Sequence, residues 1–214
     1  MTCRSLILDL DGTLIDSRPG ILESITVAAT AVFPGVKFDP ASIVLGPPIQ
    51  QMFAVMFPDG TEAGREKLLL AFREHYDRTG HLKTELYGDV REILSLCQKR
   101  GIDLYIATNK PARISSAILA NFKIGECFRT LMAIDSVAPP FPGKTAIMRH
   151  LLREHKLDTQ TALYVGDSAE DAKAANECDV RFVWAAYGYG KLNAEVKAPF
   201  GTIHDFGALT PFLE

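Results

Sequence analysis

An α/β fold with a doubly wound parallel sheet is expected from three features of this 214-residue sequence. Short continuous apolar runs recur along the chain, at Ser5–Leu8, Ile102–Ala107, Thr161–Val165 and Val180–Trp184. The runs after the first alternate with segments whose apolar residues fall at helical spacing. A third feature sets one stretch apart: from Asp16 to about Lys83 the patterning is helical, with no strand-like run to restart the alternation. Runs of this length read as strands covered on both faces, and strands alternating with helices assemble into a parallel sheet.

The first run leads into Asp9-Leu10-Asp11-Gly12-Thr13-Leu14. Gly12 marks a sharp turn that needs a residue without Cβ restraint. The strand is expected to end at Gly12, so that Asp9 and Asp11 point the same way, because the side-chain period is two. Two carboxylates at a buried strand end repel unless a cation or a proton separates them. The carboxyl end of a parallel strand is also where open α/β sheets hold their ligands.

Downstream, Ile21, Ile25, Ala28, Ala29 and Val32 predict a helix with Ser17 as N-cap and Pro19 in its first turn, stopped by Phe33-Pro34-Gly35. A second helix is expected over Pro48–Met56, entered through Gly46-Pro47-Pro48. A third carries Leu68, Phe72 and Tyr76 and ends near Thr79-Gly80. From Tyr87-Gly88-Asp89 the alternation is regular. A helix with Val90, Ile93, Leu94 and Cys97 closes at Lys99-Arg100-Gly101, basic residues and Gly suiting a helix C-terminus. The strand Ile102–Ala107 then runs into Thr108-Asn109-Lys110-Pro111, and a helix follows through Ile114, Ile118 and Leu119. A weaker strand is expected over Phe128–Ile134, and Lys144 opens a helix with Ile147, Met148, Leu151 and Leu152 on one face. The strand Thr161–Val165 ends in Gly166-Asp167-Ser168-Ala169-Glu170-Asp171, followed by a helix over Ala172–Asn176 and a last clear strand, Val180–Trp184. Phe200–Ile203 and a short helix over Asp205–Leu213 finish the chain.

Composition narrows the function classes. Apolar residues make up 47% of the chain, ample for a buried core, and the net charge of −3 offers no basic footprint for nucleic acid or an anionic membrane. No apolar run approaches the roughly 18 residues of a membrane span, and Asp9 interrupts the N-terminal run too early for a signal peptide. Cys3, Cys97, Cys127 and Cys178 stand far apart and read as reduced, mostly buried small apolar residues of a cytoplasmic protein.

Three later features belong beside Asp9 and Asp11. Thr108 and Asn109 end a strand and offer a hydroxyl, an amide and backbone N–H groups to a phosphate oxygen, although Thr-Asn-Lys-Pro is also a respectable turn. Asp167 ends a strand and Asp171 lies one helical turn on, so the two can face one site. A cluster of carboxylates facing an anion needs a fixed positive charge. Lys144, opening a helix whose N–H dipoles add to its charge, is preferred, and Lys110 is the rival.

Asp9-Leu10-Asp11-Gly12-Thr13-Leu14 together with Gly166-Asp167-Ser168-x-x-Asp171 resembles the first and fourth motifs of the haloacid dehalogenase-like hydrolase superfamily, in the right chain order. The resemblance implies a Rossmann-like core over 1–15 and 84–214 and a C1-type helical cap over 16–83. It implies that Asp9 is the nucleophile and Asp11 the general acid/base, that Thr108, Asn109 and Lys144 bind phosphate, and that Asp9, Asp167 and the Asp11 carbonyl hold Mg²⁺. Asp171 would support the ion through water or orient its neighbours. Within the superfamily, Gly46-Pro47-Pro48, Phe72-Arg73-Glu74-His75-Tyr76, Leu86-Tyr87-Gly88-Asp89-Val90 and Thr108-Asn109-Lys110-Pro111 resemble phosphoglycolate phosphatase-like enzymes. Arg18, beside the first motif, reads as a surface charge at a helix start or a substrate contact.

The function so implied is a Mg²⁺-dependent phosphatase of a small soluble phosphomonoester, working through an aspartyl-phosphate, with no nucleic-acid or membrane partner. A phosphomutase of the β-phosphoglucomutase type would share Asp9 and Asp11. A non-catalytic regulatory protein would be expected to lose an Asp of either motif, and none is missing. A dehalogenase has no task for Asp11, because halide leaves without a proton.

Overall fold

In the computed structural model, which describes residues 2–35, 43, 45, 49–58, 60–193 and 196–214, the chain forms two compact units. Met1–Asp16 with Leu86–Glu214 makes one, and Ser17–Glu85 the other. The expected Gly46-Pro47-Pro48 helix entry lies outside the described residues.

The first unit is a six-stranded, wholly parallel sheet with helices packed on it. Its strands are β1 (Ser5–Leu8), β4 (Asp103–Thr108), β5 (Thr130–Ala133), β6 (Ala162–Gly166), β7 (Arg181–Ala185) and β8 (Gly201–Ile203), in the spatial order β5-β4-β1-β6-β7-β8. Two short strands, β2 (Ile15–Asp16) and β3 (Glu85–Leu86), carry the chain out of this unit and back. Side-chain alternation builds the core. Ile7, Tyr105, Ala107, Met132, Ala162, Tyr164 and Phe182 share one face. They pack against Ile147, Met148 and Leu151 of α6 (Lys144–Glu154) and Ala172 and Ala175 of α7 (Ala169–Glu177). Between β3 and β5 the chain also forms α4 (Val90–Lys99) and α5 (Ala112–Asn121).

The α/β class and the strand sequence follow the sequence reading, with four differences. The first strand stops at Leu8, so Asp9 and Asp11 do not share a strand face; Leu10–Ile15 is a turn in which Gly12 takes φ +81°. The fourth motif starts its helix earlier than expected, at Ala169, because Ser168 caps it: the Ser168 hydroxyl accepts from Asp171 N–H at 3.2 Å while Asp171 accepts from Ser168 N–H at 3.0 Å. Gly201–Ile203 is a sixth strand, three residues long and beneath the length that a periodicity argument can register. The C-terminal segment Phe206–Leu213 is a 3₁₀ helix containing Pro211, which cannot donate the N–H an α-helix would need there.

The second unit is helical: α1 (Arg18–Val32), α2 (Ile49–Met56), α3 (Glu62–Arg78) and a 3₁₀ turn, Gly80–Lys83. Leu68, Phe72 and Tyr76 form the buried stripe of α3; Phe72 stacks on Tyr76 at 5.5 Å and meets Phe53 edge-on at 5.9 Å. Gly20 and Gly80 let two backbones touch, since a Cβ on Gly20 would run into the Gly80 carbonyl. The buried Ser24 hydroxyl bridges the same junction, donating to Gly20 O at 2.7 Å and lying 2.9 Å from His75 Nδ1. Ser17 precedes α1 as expected but makes no side-chain cap bond.

Candidate active site

The sheet order brings the site together. β1 lies between β4 and β6, with Leu8 level with Ile106 on one side and Val165 on the other. Asp9 follows β1 directly, Thr108 is the last residue of β4, and Asp167 follows β6 directly. Three polar residues remote in sequence therefore leave neighbouring strands at one level. The site is at the carboxyl edge, beside the central strand where the chain switches direction of winding.

Charge is concentrated there. Asp9, Lys110, Lys144, Asp167 and Asp171 are all buried, and the ligand oxygens of Asp9, Asp167 and Asp171 lie within 4.8 Å of one another. The Lys144 ammonium enters this group, pairing with Asp9, reaching Asp171 Oδ1 at 3.1 Å and donating to Ala107 O at 3.1 Å. Burial works against a charged lysine, but Asp171 and Asp9 outweigh it and raise its pKa. Two carboxylates thus share one ammonium, with the Asp167 carboxylate beside them. Burial pushes the Asp9 carboxyl well above the usual carboxylate range in spite of Lys144. Asp167 is pushed up to about 6, mainly by burial and then by Asp171. Asp171 behaves differently. Burial would raise it, but Lys144 and hydrogen bonds from Ser168 and Tyr164 hold it below the usual range.

The hydrogen bonds explain that contrast. Asp171 Oδ1 accepts from the buried Tyr164 hydroxyl at 2.5 Å and faces Lys144, while Oδ2 accepts from Ser168 Oγ at 2.6 Å and Ser168 N at 3.0 Å. Both its oxygens are occupied, so it aims Lys144 and leaves Asp9 and Asp167 as the carboxylates suited to a cation. Two carboxylates in a dry, polar setting match the demands of a hard divalent ion such as Mg²⁺, which takes oxygen ligands. A charge of +2 would also balance the excess of carboxylate over ammonium.

The remaining expected residues lie close by, some in unexpected pairings. The Asp11 carboxylate is not in the Asp9–Asp167–Asp171 group; its Oδ1 accepts from Lys110 Nζ at 2.8 Å, and Lys110 is buried. The two rival lysines therefore serve different carboxylates of the first motif. Thr108 Oγ1 accepts from Lys110 N–H at 3.1 Å. The Asn109 amide donates to Glu170 Oε2 at 3.0 Å, and Glu170 Oε1 accepts from Lys144 N–H at 3.3 Å. One N–H of the Asn109 amide, the group expected to meet phosphate, is thus engaged by Glu170 on the first turn of α7. Arg18 opens α1 in the helical unit.

Sequence reasoning gave no site role to Tyr164 or Glu170, and none at Asp167 to the loop after β7. That loop, Tyr187-Gly188-Tyr189-Gly190, donates to Asp167 Oδ2 from Tyr189 N at 2.6 Å and Gly190 N at 3.0 Å. Two glycines in four residues after a strand were the available signal.

Known proteins resemble this chain in sequence and in fold. A family model described as haloacid dehalogenase-like hydrolase matches residues 6–185. A phosphoglycolate phosphatase of Vibrio vulnificus is 30% identical over 190 residues, covering 85% of this chain and 82% of that protein. A 5'-nucleotidase of Pseudomonas aeruginosa is 29% identical over 215 residues, covering 98% and 95%. Among solved structures, that of a predicted phosphoglycolate phosphatase from Haemophilus somnus superposes with a TM-score of 0.88 at 25% identity, covering 100% of this chain and 99% of that one.

Proposed function

The chain belongs to the haloacid dehalogenase-like hydrolase family, and from that premise we propose that it is a Mg²⁺-dependent phosphatase of a small soluble phosphomonoester, phosphoglycolate-like in size. The observation that carries the reading is the convergence of Asp9, Lys144, Asp167 and Thr108 at the carboxyl ends of three adjacent strands. The relative named as a phosphoglycolate phosphatase supports the size of the substrate.

In this reading the Asp9 carboxylate attacks phosphorus, and the bond from phosphorus to the leaving oxygen breaks. Asp11, protonated, gives its proton to the leaving alkoxide. Its carboxylate then takes a proton from the water that attacks the aspartyl-phosphate, releasing inorganic phosphate and restoring Asp9. Lys110 fixes one oxygen of Asp11 and so directs the other. Lys144, held by Asp171 and the Ala107 carbonyl, keeps a positive charge beside the attacking carboxylate and the transferred group. Mg²⁺, held by Asp9, Asp167 and the Asp11 carbonyl, would supply charge neutralisation between nucleophile and phosphate. Thr108 is placed to donate its hydroxyl to a phosphate oxygen. We assign preference among substrates to the helical unit, because the core groups treat the phosphate of every phosphomonoester alike.

The test is phosphate release from 2-phosphoglycolate, nucleoside 5'-monophosphates and hexose phosphates, with Mg²⁺ and with excess chelator. Hydrolysis is expected with Mg²⁺ only, and Asp9→Asn should abolish it while the fold persists. Residual turnover within tenfold of the parent in homogeneous Asp9→Asn protein overturns the nucleophile. The 5'-nucleotidase relative makes a nucleotide the second substrate reading, and preferential release from nucleoside monophosphates would select it. Isomerisation of a hexose phosphate without phosphate release would identify a phosphomutase instead.

A further inference from the structure

We propose that the loop after β7, Tyr187–Gly190, is a working part of the cation site: it clamps Asp167, committing one carboxylate oxygen to the chain and leaving the other for a divalent cation. The inference rests on the Mg²⁺ reading above and assigns to it four residues outside both sequence motifs.

The clamp is built from hydrogen bonds and from close approach. Tyr189 N and Gly190 N both donate to the same oxygen, Asp167 Oδ2, at 2.6 and 3.0 Å. Bonds from two N–H groups to a carboxylate are charge-assisted and fix its plane as well as its position. The backbone of Asp167 is held too, its carbonyl accepting from Trp184 Nε1 at 2.9 Å. The loop can reach the carboxylate only because it lacks side chains at the approach. A Cβ on Gly188 would collide with the Asp167 side chain and the Gly12 carbonyl, and one on Gly190 would sit 2.7 Å from Asp167 O and 2.8 Å from Ser168 Cα. Gly12 crowds the same carboxylate, since a Cβ there would also strike Asp167 Oδ2. The two tyrosines anchor the loop. Tyr187 donates its hydroxyl to Thr13 O at 2.7 Å and packs edge-on against Tyr87 at 4.7 Å, and Tyr189 donates to Asp16 Oδ1 at 2.7 Å.

The consequence is a choice of ion. A carboxylate with both oxygens free can swing and chelate, which suits the larger and more flexible shell of Ca²⁺. With Oδ2 committed, Asp167 presents a single oxygen in a fixed direction, as a small octahedral ion requires. Outer groups that orient a ligand in this way typically govern about 10–100-fold in metal affinity.

Gly188 isolates the effect. Unlike Gly12, with φ +81°, it is not among the glycines of positive φ, so alanine is allowed by its backbone, and its methyl meets the Asp167 side chain and the Gly12 carbonyl. Mg²⁺ and Ca²⁺ binding are measured by calorimetry, and by cation-dependent shift in melting temperature, on the full chain and its Gly188→Ala variant. The variant is expected to bind Mg²⁺ about tenfold more weakly or worse, with less discrimination against Ca²⁺. Mg²⁺ affinity within twofold of the parent in the folded variant overturns the clamp and leaves the phosphatase reading standing. If Gly188→Ala does not fold, Tyr189→Phe decides. It adds no volume and loosens the loop at Asp16, and unchanged Mg²⁺ affinity there overturns the proposal equally. Absence of Mg²⁺ binding by the parent overturns the cation reading itself, and the clamp with it.

Discussion

Asp11, partly exposed, and the buried Lys110 form an ion pair near the proposed nucleophile, and the role of Asp11 can be separated from simple charge. Asp11→Asn should lower hydrolysis of alkyl phosphates by about 10²–10⁴, the usual cost of a lost general acid/base. The loss should be much smaller for p-nitrophenyl phosphate, whose leaving group needs no proton. Equal losses for the two substrates would contradict the assignment. Two other residues carry a pH prediction. Burial pushes the Cys3 thiol up to about 11 and the Cys97 thiol up to about 12. The unfolded chain sheds these protons near pH 9, so above that pH the folded state binds more protons and stability falls as pH rises toward 11–12. Urea unfolding at pH 8 and pH 10 should show the drop, and Cys97→Ala should reduce it. Equal stability of the parent at the two pH values would refute the account. The burial of both thiols was expected from the sequence, Cys97 lying on the apolar face of its helix with Val90, Ile93 and Leu94.

At the scale of elements, the contact between α1 and the Gly80–Lys83 turn leaves no room for a side chain at Gly20. In a helix interior Gly→Ala ordinarily gains about 1 kcal/mol. At Gly20 the added methyl would meet the Gly80 carbonyl, a backbone atom that cannot rotate away. Overpacking of this kind costs about 1–3 kcal/mol, so Gly20→Ala should lower the denaturant midpoint despite its better helix propensity. A raised midpoint would show that the junction relaxes freely. Helices and long strands were legible in the sequence because their periodicity is local: Leu68, Phe72 and Tyr76 announce the stripe of α3 without reference to any partner. Gly201–Ile203 was not, since three residues carry no period and become a strand only by pairing with β7. The start of α7 was misplaced for a related reason. Ser168 and Asp171 read as site residues, and their reciprocal capping bonds make them the helix N-terminus as well.

At the scale of the whole molecule, the two units divide the proposed labour. Replacing Ser17–Glu85 with a short linker should leave slow hydrolysis of a generic aryl phosphate if the core still folds. Preference among natural substrates should disappear, because binding energy from the non-phosphate part would no longer act on the reacting centre. The exposed apolar surface makes a solubility check the first measurement. Retention of the parent's substrate ranking by the isolated core would place specificity in the core loops.

The chain by itself determined the α/β class, the order of strands and helices, the all-helical stretch after the first strand, and the acidic residues of the two motifs. Each of these is written in adjacent residues, as period, turn chemistry or a strand end. Tertiary structure alone decided how the charges pair. Lys144 meets Asp9 across 135 residues, Lys110 meets Asp11 across 99, and Glu170 meets Asn109 across 61. The helix that Lys144 opens favours it locally over Lys110, but no local pattern reveals that each lysine serves its own carboxylate or that Asp171 has both oxygens engaged. Those outcomes depend on β1 lying between β4 and β6, and on the directions in which the loops leave the sheet. The Tyr187–Gly190 clamp is the same kind of fact. Its glycines look like an ordinary turn until the fold places Asp167 against them.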